Sequence, residues 1–420
     1  MRGSKEDAEE GLATLPSGAG EVDNDPTLAH DAVFGNITEK GPNYRDVGWL
    51  GSAALMMKSQ IGLGVLSIPS AFDALGIIPG IICLLTVAAL TSWSDYVIGM
   101  FKLRHREIWG IDDAAGLMFG KVGQEFLGVA FVLYTIFVAA SGILGISIIY
   151  IVTIAAAVQE RPSEAPQEGV WVSDYKLSNN PSFADAISAI CTFVFAYAGT
   201  PLFFPIAAEM RDPRQYTKAL VLCQSTVTAT YIIIGIMVYY YCGSYVASPA
   251  LGSAGPVVKK IAYGLALPGL LAGATINAHA ASKYPFIRFL RGSRHLTANT
   301  FTHWACWLGC TFTVSLSAYA IASGIPIFHA LVSLVGALLG TLMCFQPMGC
   351  MWLYDNWSRG RSGGRTIGWT VQAYVAVFVV VSGMFLTVAG TYGTVVGVIK
   401  AFNETKGAAA WSCADNSNSV

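Results

Sequence analysis

The sequence predicts an all-α polytopic membrane protein, and three observations predict it. Of 420 residues, 54% are hydrophobic and only 12% charged, whereas soluble domains average about 25% charged residues. Mean hydropathy is +0.54. Apolar runs recur from Val47 to Ile399, each long enough for a bilayer core of roughly 30 Å, which needs about 20 residues per helix. The net charge of −1 offers no footprint for a nucleic-acid partner.

Residues 1–46 stand apart. They hold ten Asp and Glu against four Lys and Arg and have no apolar core of signal-peptide length, so a disordered acidic cytoplasmic tail is expected. The membrane domain then runs over residues 47–399, with spans near 47–75, 77–103, 123–157, 183–209, 217–243, 257–288, 299–323, 326–354 and 367–398. Basic residues gather in alternate loops, "KLRHREIW", "MRDPRQYTK", "IRFLRGSRH" and "NWSRGRSGGR". That bias places these loops in the cytoplasm, with an odd number of spans and an external tail at 400–420. Asn403 would then be an outward glycan acceptor. The stretch "DDAAGLMFGKVG" (112–123) is too short and polar to span and suits a helix lying at the inner surface. The run from Gly123 to Val158 fits neither one span nor two.

Cysteines sit mostly inside apolar runs (Cys83, Cys191, Cys223, Cys306, Cys344), where thiols act as small hydrophobes. The six histidines are scattered, so neither a metal centre nor a membrane-embedded enzyme is expected, and no cofactor is implied.

Two spans carry interruptions. In "KSQIGLGVLSIPSAF" (58–72), Gly62 and Gly64 permit non-helical angles and Pro69 removes an amide donor. In "FVFAYAGTPLFFPIAAEMRDP" (193–213), Gly199, Pro201 and Pro205 do the same. Unwound backbone at membrane depth is tolerated where protein covers it or it lines a cavity. A single break reads equally as loose packing. Two breaks in separated parts of one chain point to a secondary transporter's midplane site. Amides of one half-helix can hold a carboxylate and freed carbonyls an ammonium group, which suits an amino acid. Phe195 and Tyr197, flanking the second break, could wall a pocket for an apolar side chain.

Charged and polar residues within spans need a partner or a cavity. Lys58, one turn before the first break, is either a residue snorkelling to the interface or a fixed cation beside the site. Asp95 either pairs with a neighbouring span or carries a proton. Glu209 and Asp212 close the fourth run as a gate or as interfacial charges. Asn277, His279 and Lys283 lie toward the inner half of the sixth, and His279 titrates near neutral pH or packs.

The two interrupted motifs, with "FAYAGTPLFFPIAAEMRDPRQYTKAL" and the order of spans, resemble the amino acid/auxin permease family of the amino acid–polyamine–organocation superfamily, within it the fungal neutral amino acid permeases. The resemblance runs from Tyr44 to Ile399. It implies a leucine-transporter-like fold of two inverted repeats and a proton- or sodium-coupled importer, here of neutral amino acids with protons, in the plasma or vacuolar membrane. A non-transporting sensor or an inactive truncated form is the alternative. By the family's motif, Gly62, Leu63, Gly64 and Val65 would offer amides to the substrate carboxylate. Ile61 and residues Phe195, Ala196, Tyr197, Ala198, Gly199 and Thr200 would offer carbonyls and aromatic contacts to the rest. Lys58 would stand where related sodium-coupled folds bind the cation, which favours protons. The family has eleven spans, so about fifty residues are missing here near Ser147, two crossings' worth.

Overall fold

The computed structural model describes residues 29–31, 35–37, 47–61, 64–144, 162, 165, 171–248, 250–253, 256–290, 295, 300–324, 328–361 and 366–404. Met1–Tyr44 and Arg45–Val420 are separate units. The described part of the first is an antiparallel hairpin, β1 (Ala29–Asp31) with β2 (Gly35–Ile37), in which His30 faces Asn36. The rest of the expected disordered tail lies outside the described residues.

The second unit is helical. Seven stretches among the described residues are long and apolar enough to cross a membrane: Ile77–Arg104, Ile111–Val138, Phe183–Ala208, Pro213–Tyr245, Phe301–Gly324, Leu331–Ser358 and Ile367–Ile399. The other two of the nine expected runs are built as a pair of short helices, α1 (Trp49–Gln60) and α2 (Gly64–Leu75), and as a 35-residue helix, Pro256–Leu290. In chain order the remaining helices are α3 (Ile77–Arg104), α4 (Ile111–Leu144), α5 (Phe183–Ala196), α6 (Phe203–Ala208), α7 (Tyr216–Cys242), α8 (Pro256–Leu290) and α9 (Phe301–Gly324). Then come α10 (Phe328–Val335), a π-helical turn Gly336–Gly340, α11 (Thr341–Cys344), α12 (Gln346–Arg361) and α13 (Ile367–Glu404).

Local chemistry explains the boundaries. Ser182 caps α5 by accepting from the Asp185 amide at 3.2 Å and donating to its carboxylate at 2.7 Å. Gly120, at φ 68°, bends α4 sharply, a backbone angle that glycine adopts without steric cost. The bend separates Ile111–Phe119, the expected surface helix, from the span that follows. That span is described only to Leu144, and the remainder of the expected 123–157 run lies outside the described residues.

The prolines behave differently from expectation. Pro69 does not break the first span: it lies within α2, and the interruption falls earlier, after Gln60. Pro205 is the third residue of α6, where an amide has no partner within its own helix to lose.

α2 and α5 form the centre and pack on each other, with α3, α7, α10 and α13 around them. Phe72 meets Phe193 edge-on at 5.8 Å across that contact. Helices in lipid gain little from burying apolar surface and associate through close packing and hydrogen bonds. Small residues therefore matter here. Gly64 lies against the Ala196 backbone and Gly336 against the Cys191 carbonyl, where an added Cβ would collide.

Candidate interrupted-helix site

The first interruption begins where α1 ends. Ile61 turns out of the helix at φ −72°, ψ 94°, its amide still donating to the Met57 carbonyl at 2.6 Å. Gly62 and Leu63 lie outside the described residues, and α2 starts at Gly64. The second interruption is a succession of tight turns. Ala198 donates to the Phe195 carbonyl at 3.0 Å and Gly199 to the Tyr197 carbonyl at 2.8 Å, and a 3-10 turn over Thr200–Leu202 leads into α6.

The two interruptions meet. A Cβ on Gly64 would fall on the Ala196 backbone. A Cβ on Gly199 would come 2.6 Å from Gln60 Cγ and 2.8 Å from Ser59 Oγ. The Gln60 side-chain amide crosses between them and donates to the Tyr197 carbonyl at 3.3 Å. Residues Phe195 to Thr200, Gly64 and Val65 are all buried, and Ile61 is half-buried.

Interrupting a helix frees carbonyls, and buried carbonyls need donors. The Ala198 carbonyl takes the Tyr134 hydroxyl of α4. The Tyr231 hydroxyl of α7 lies 2.8 Å from the Gln60 carbonyl and 2.7 Å from the Ala196 carbonyl, one on each side of the junction. A phenol has a single hydrogen, so it serves one of these acceptors at a time. Tyr197 packs edge-on against Tyr231 at 5.1 Å and holds Thr228 Oγ1 at 3.0 Å.

Other expected residues are spread more widely. Lys58 is exposed on α1, with no hydrogen bond or ion pair among the described residues. Asp95 is fully buried, 2.6 Å from Gln224 Nε2. Glu209 ends α6 half-buried; burial raises its pKa from the usual 4.5, and Lys283 opposes that shift. Asn277 bonds the Gly273 carbonyl of its own helix at 2.9 Å. His279 is exposed and packs edge-on against Trp307 of α9 at 5.1 Å. Lys283 sits over the Trp109 ring at 4.9 Å. Asn277, His279 and Lys283 thus share α8 and are not drawn into the junction contacts above.

Sequence reasoning passed over Gln60, Tyr134, Gln224 and Tyr231. The available signal was position: Tyr231 lies mid-run in "TATYIIIGI", far from the interfacial belts where membrane tyrosines collect.

At one end of the bundle, the Arg211 amide donates to the Val47 carbonyl at 2.9 Å, so the entry of α1 is tied to the exit of α6. At the other end, Ile77 and Ile78 donate to the Lys176 and Leu177 carbonyls at 3.1 and 2.9 Å, which lays residues 176–177 over the start of α3. A helical bundle that encloses paired backbone interruptions between two such ends has the construction of a membrane carrier.

The comparisons agree. The family model described as transmembrane amino acid transporter protein matches residues 45–161 and 138–393. A transmembrane transporter of Gibberella moniliformis is 30% identical over 457 aligned positions that take in 93% of this chain and 95% of the relative. An N amino acid transport system protein of Neurospora crassa is 27% identical, covering 90% of this chain and 92% of the relative. This chain belongs to the transmembrane amino acid transporter family. The inward-facing conformation of Mhp1 matches 84% of this chain at 15% identity with a TM-score of 0.27.

The alignments also expose an internal loss. The 457 positions shared with the Gibberella protein hold 93% of 420 residues, about 391, which leaves about 66 positions where this chain has a gap. The same reckoning against the Neurospora protein, from 442 positions and 90%, leaves about 64. The family match divides within 138–161, the stretch where the sequence reading places the missing residues.

Proposed function

We propose that this chain is a secondary active transporter that imports neutral amino acids across the plasma membrane together with protons. The observation that carries this reading is the shared Tyr231 hydroxyl. Its one hydrogen faces two carbonyl oxygens, Gln60 and Ala196, that belong to different interruptions. A substrate ammonium brings three donors and could serve both at once. The first turn of α2, from Gly64 and Val65 with Gly62 and Leu63 before it, offers amides to the carboxylate. Ile61, Phe195, Ala196, Tyr197, Ala198, Gly199 and Thr200 line the remainder of this cradle. None of them carries a fixed charge, which favours a neutral side chain. Lys58 is exposed on α1 and stands outside this cradle, so the proton coupling proposed here does not rest on it.

The internal loss supports a second reading, a chain that binds amino acids without moving them. Purified protein in liposomes separates the two. Uptake of a neutral amino acid panel driven by an imposed proton gradient supports transport. Saturable binding without flux supports the second reading. A sodium gradient that drives uptake where a proton gradient does not contradicts proton coupling. Absence of both binding and flux defeats the amino acid assignment.

A further inference from the structure

We propose that Asp95 carries the coupled proton and hands its state to the second interruption through Thr200, an inference that rests on the transport reading above. Asp95 is on α3, fully buried, and its two oxygens differ. Oδ2 accepts from Gln224 Nε2 of α7 at 2.6 Å, whereas Oδ1 has no well-aligned hydrogen-bond partner among the described residues. The Thr200 hydroxyl, the first residue of the 3-10 turn, stands beside the carboxylate. It is buried without a well-aligned partner, as is Gln224 Oε1. An acceptor and a hydroxyl that could satisfy one another therefore sit together at the interruption, incompletely paired.

Among the described residues nothing charged balances Asp95, and no ion pair includes it. From α7 it faces Gln224, with Tyr216 donating to its backbone carbonyl at 2.9 Å and Cys223 nearby. α11 contributes Cys344, which lies against Thr200. α2 and α5 carry acids only near their outer ends, Asp73 and Asp185, together with the Cys191 thiol of α5. α6 has no titratable residue within Phe203–Ala208 and is capped by Glu209, which Lys283 faces, and the turn Pro213–Gln215 carries Arg214. On α12, Asp355 is held by Arg104 at 3.0 Å and His105 at 2.8 Å. Lys102, further along α3, donates to the Arg106 and Ile108 carbonyls.

A carboxylate enclosed by neutral groups is disfavoured as an ion, so Asp95 in this packed arrangement keeps the proton. Protonated at Oδ1, Asp95 donates to Thr200 Oγ1; ionised, it accepts from the same hydroxyl. Binding or losing the proton thus reverses a hydrogen bond at the start of the 3-10 turn. The proton arrives from water on the outer side and leaves to water on the inner side, with no other bond made or broken. A second route leads to the first interruption: Cys223, next to Gln224, points its Sγ at Gln60 Oε1 at 3.7 Å, and Gln60 donates to Tyr197.

The test uses the full chain in liposomes, with a neutral amino acid panel, and compares proton-driven accumulation with substrate exchange. Asp95→Asn is expected to lower the ratio of accumulation to exchange by about tenfold or more and to flatten the pH profile of uptake. Asp95→Glu is expected to restore a pH-dependent profile with a displaced midpoint, and Gln224→Leu to displace the midpoint with Asp95 intact. If Asp95→Asn accumulates substrate as the unaltered chain does, the proposal is overturned. It is overturned equally if Asp95→Asn and Asp95→Glu both lose exchange and binding, since Asp95 would then be structural. An unaltered chain that neither binds nor moves any of the panel removes the transport reading, and this inference with it.

Discussion

The two interrupted helices of this protein are unequally clothed. The second, over Phe183–Ala208, is buried across 89% of its apolar window. In the first, α2 is enclosed while α1 leaves Leu50 59% and Leu55 45% exposed, with Lys58 exposed on the same short helix. In water an uncovered leucine costs stability; in lipid it costs little. The exposure of a lysine is the more telling difference, because a charge within a span calls for a cavity or a partner. The alignments leave gaps of some sixty positions in this chain, and the two family matches overlap at residues 138–161, after the first interruption and before the second. The contrast teaches that the junction, which joins the Gln60 end of α1 to α2, α5 and α7, does not depend on full cover of the rest of α1.

The largest effect is expected from pushing the interruptions apart. Gly64→Ala places a Cβ against the Ala196 backbone, which cannot turn aside as a side chain can. Displacement of about 1 Å in a binding site can cost a hundredfold, and initial uptake rates in liposomes should fall on that order. Uptake near that of the unaltered chain would show that the two helices do not need their close approach.

Tyr231→Phe should act next, and in a particular direction. It leaves the Gln60 and Ala196 carbonyls short of a donor in the empty protein, so the melting temperature should drop by roughly 3–5 °C. A neutral amino acid should then raise it by more than it raises the unaltered chain, because the ammonium supplies the donors that were lost. An equal or smaller ligand-induced rise would count against an ammonium site between these carbonyls.

Lys58→Met tests the poorly covered side. With its side chain exposed and no partner among the described residues, substrate affinity should change by less than about twofold. A loss of tenfold would place the ammonium inside the functional machinery after all.

The smallest effect concerns Glu209. Its folded-state pKa lies above 4.5, chiefly through burial. A carboxyl with a raised folded-state value stabilises below its unfolded pKa and loses that contribution as pH rises through the folded value. Glu209→Gln should therefore raise the melting temperature by roughly 1–2 °C at pH 7 and leave it unchanged near pH 4. The reverse pattern would mean that Lys283 outweighs burial there.

Much of this was legible in the sequence, and for physical reasons. Apolar runs mark helices because lipid permits no unpaired backbone. The paired glycine and proline interruptions marked two segments that the fold brings into contact. Gly120 was hidden: "LMFGKVG" announces the end of a surface helix, but not that one glycine at positive φ joins it to the span. Pro69 misled, since a proline within an apolar helix can be kept where packing closes around it. Tyr231 and Gln224 were illegible because their importance comes from partners more than thirty residues away in the chain, Ala196 for the first and Asp95 for the second. Lys58 shows the converse: its place in the sequence is adjacent to the interruption, while its exposure depends on what the chain packs around α1.

The most direct measurement is the affinity for a neutral amino acid, by calorimetry on the purified full chain, of Gly64→Ala, Gly199→Ala and the double variant. Each substitution separates the same two interruptions, so the second adds less once the first is present. The double variant's loss of affinity should then be clearly smaller than the product of the single losses. Losses that multiply, or single variants that bind as the unaltered chain does, would contradict the claim that the two interruptions form one site.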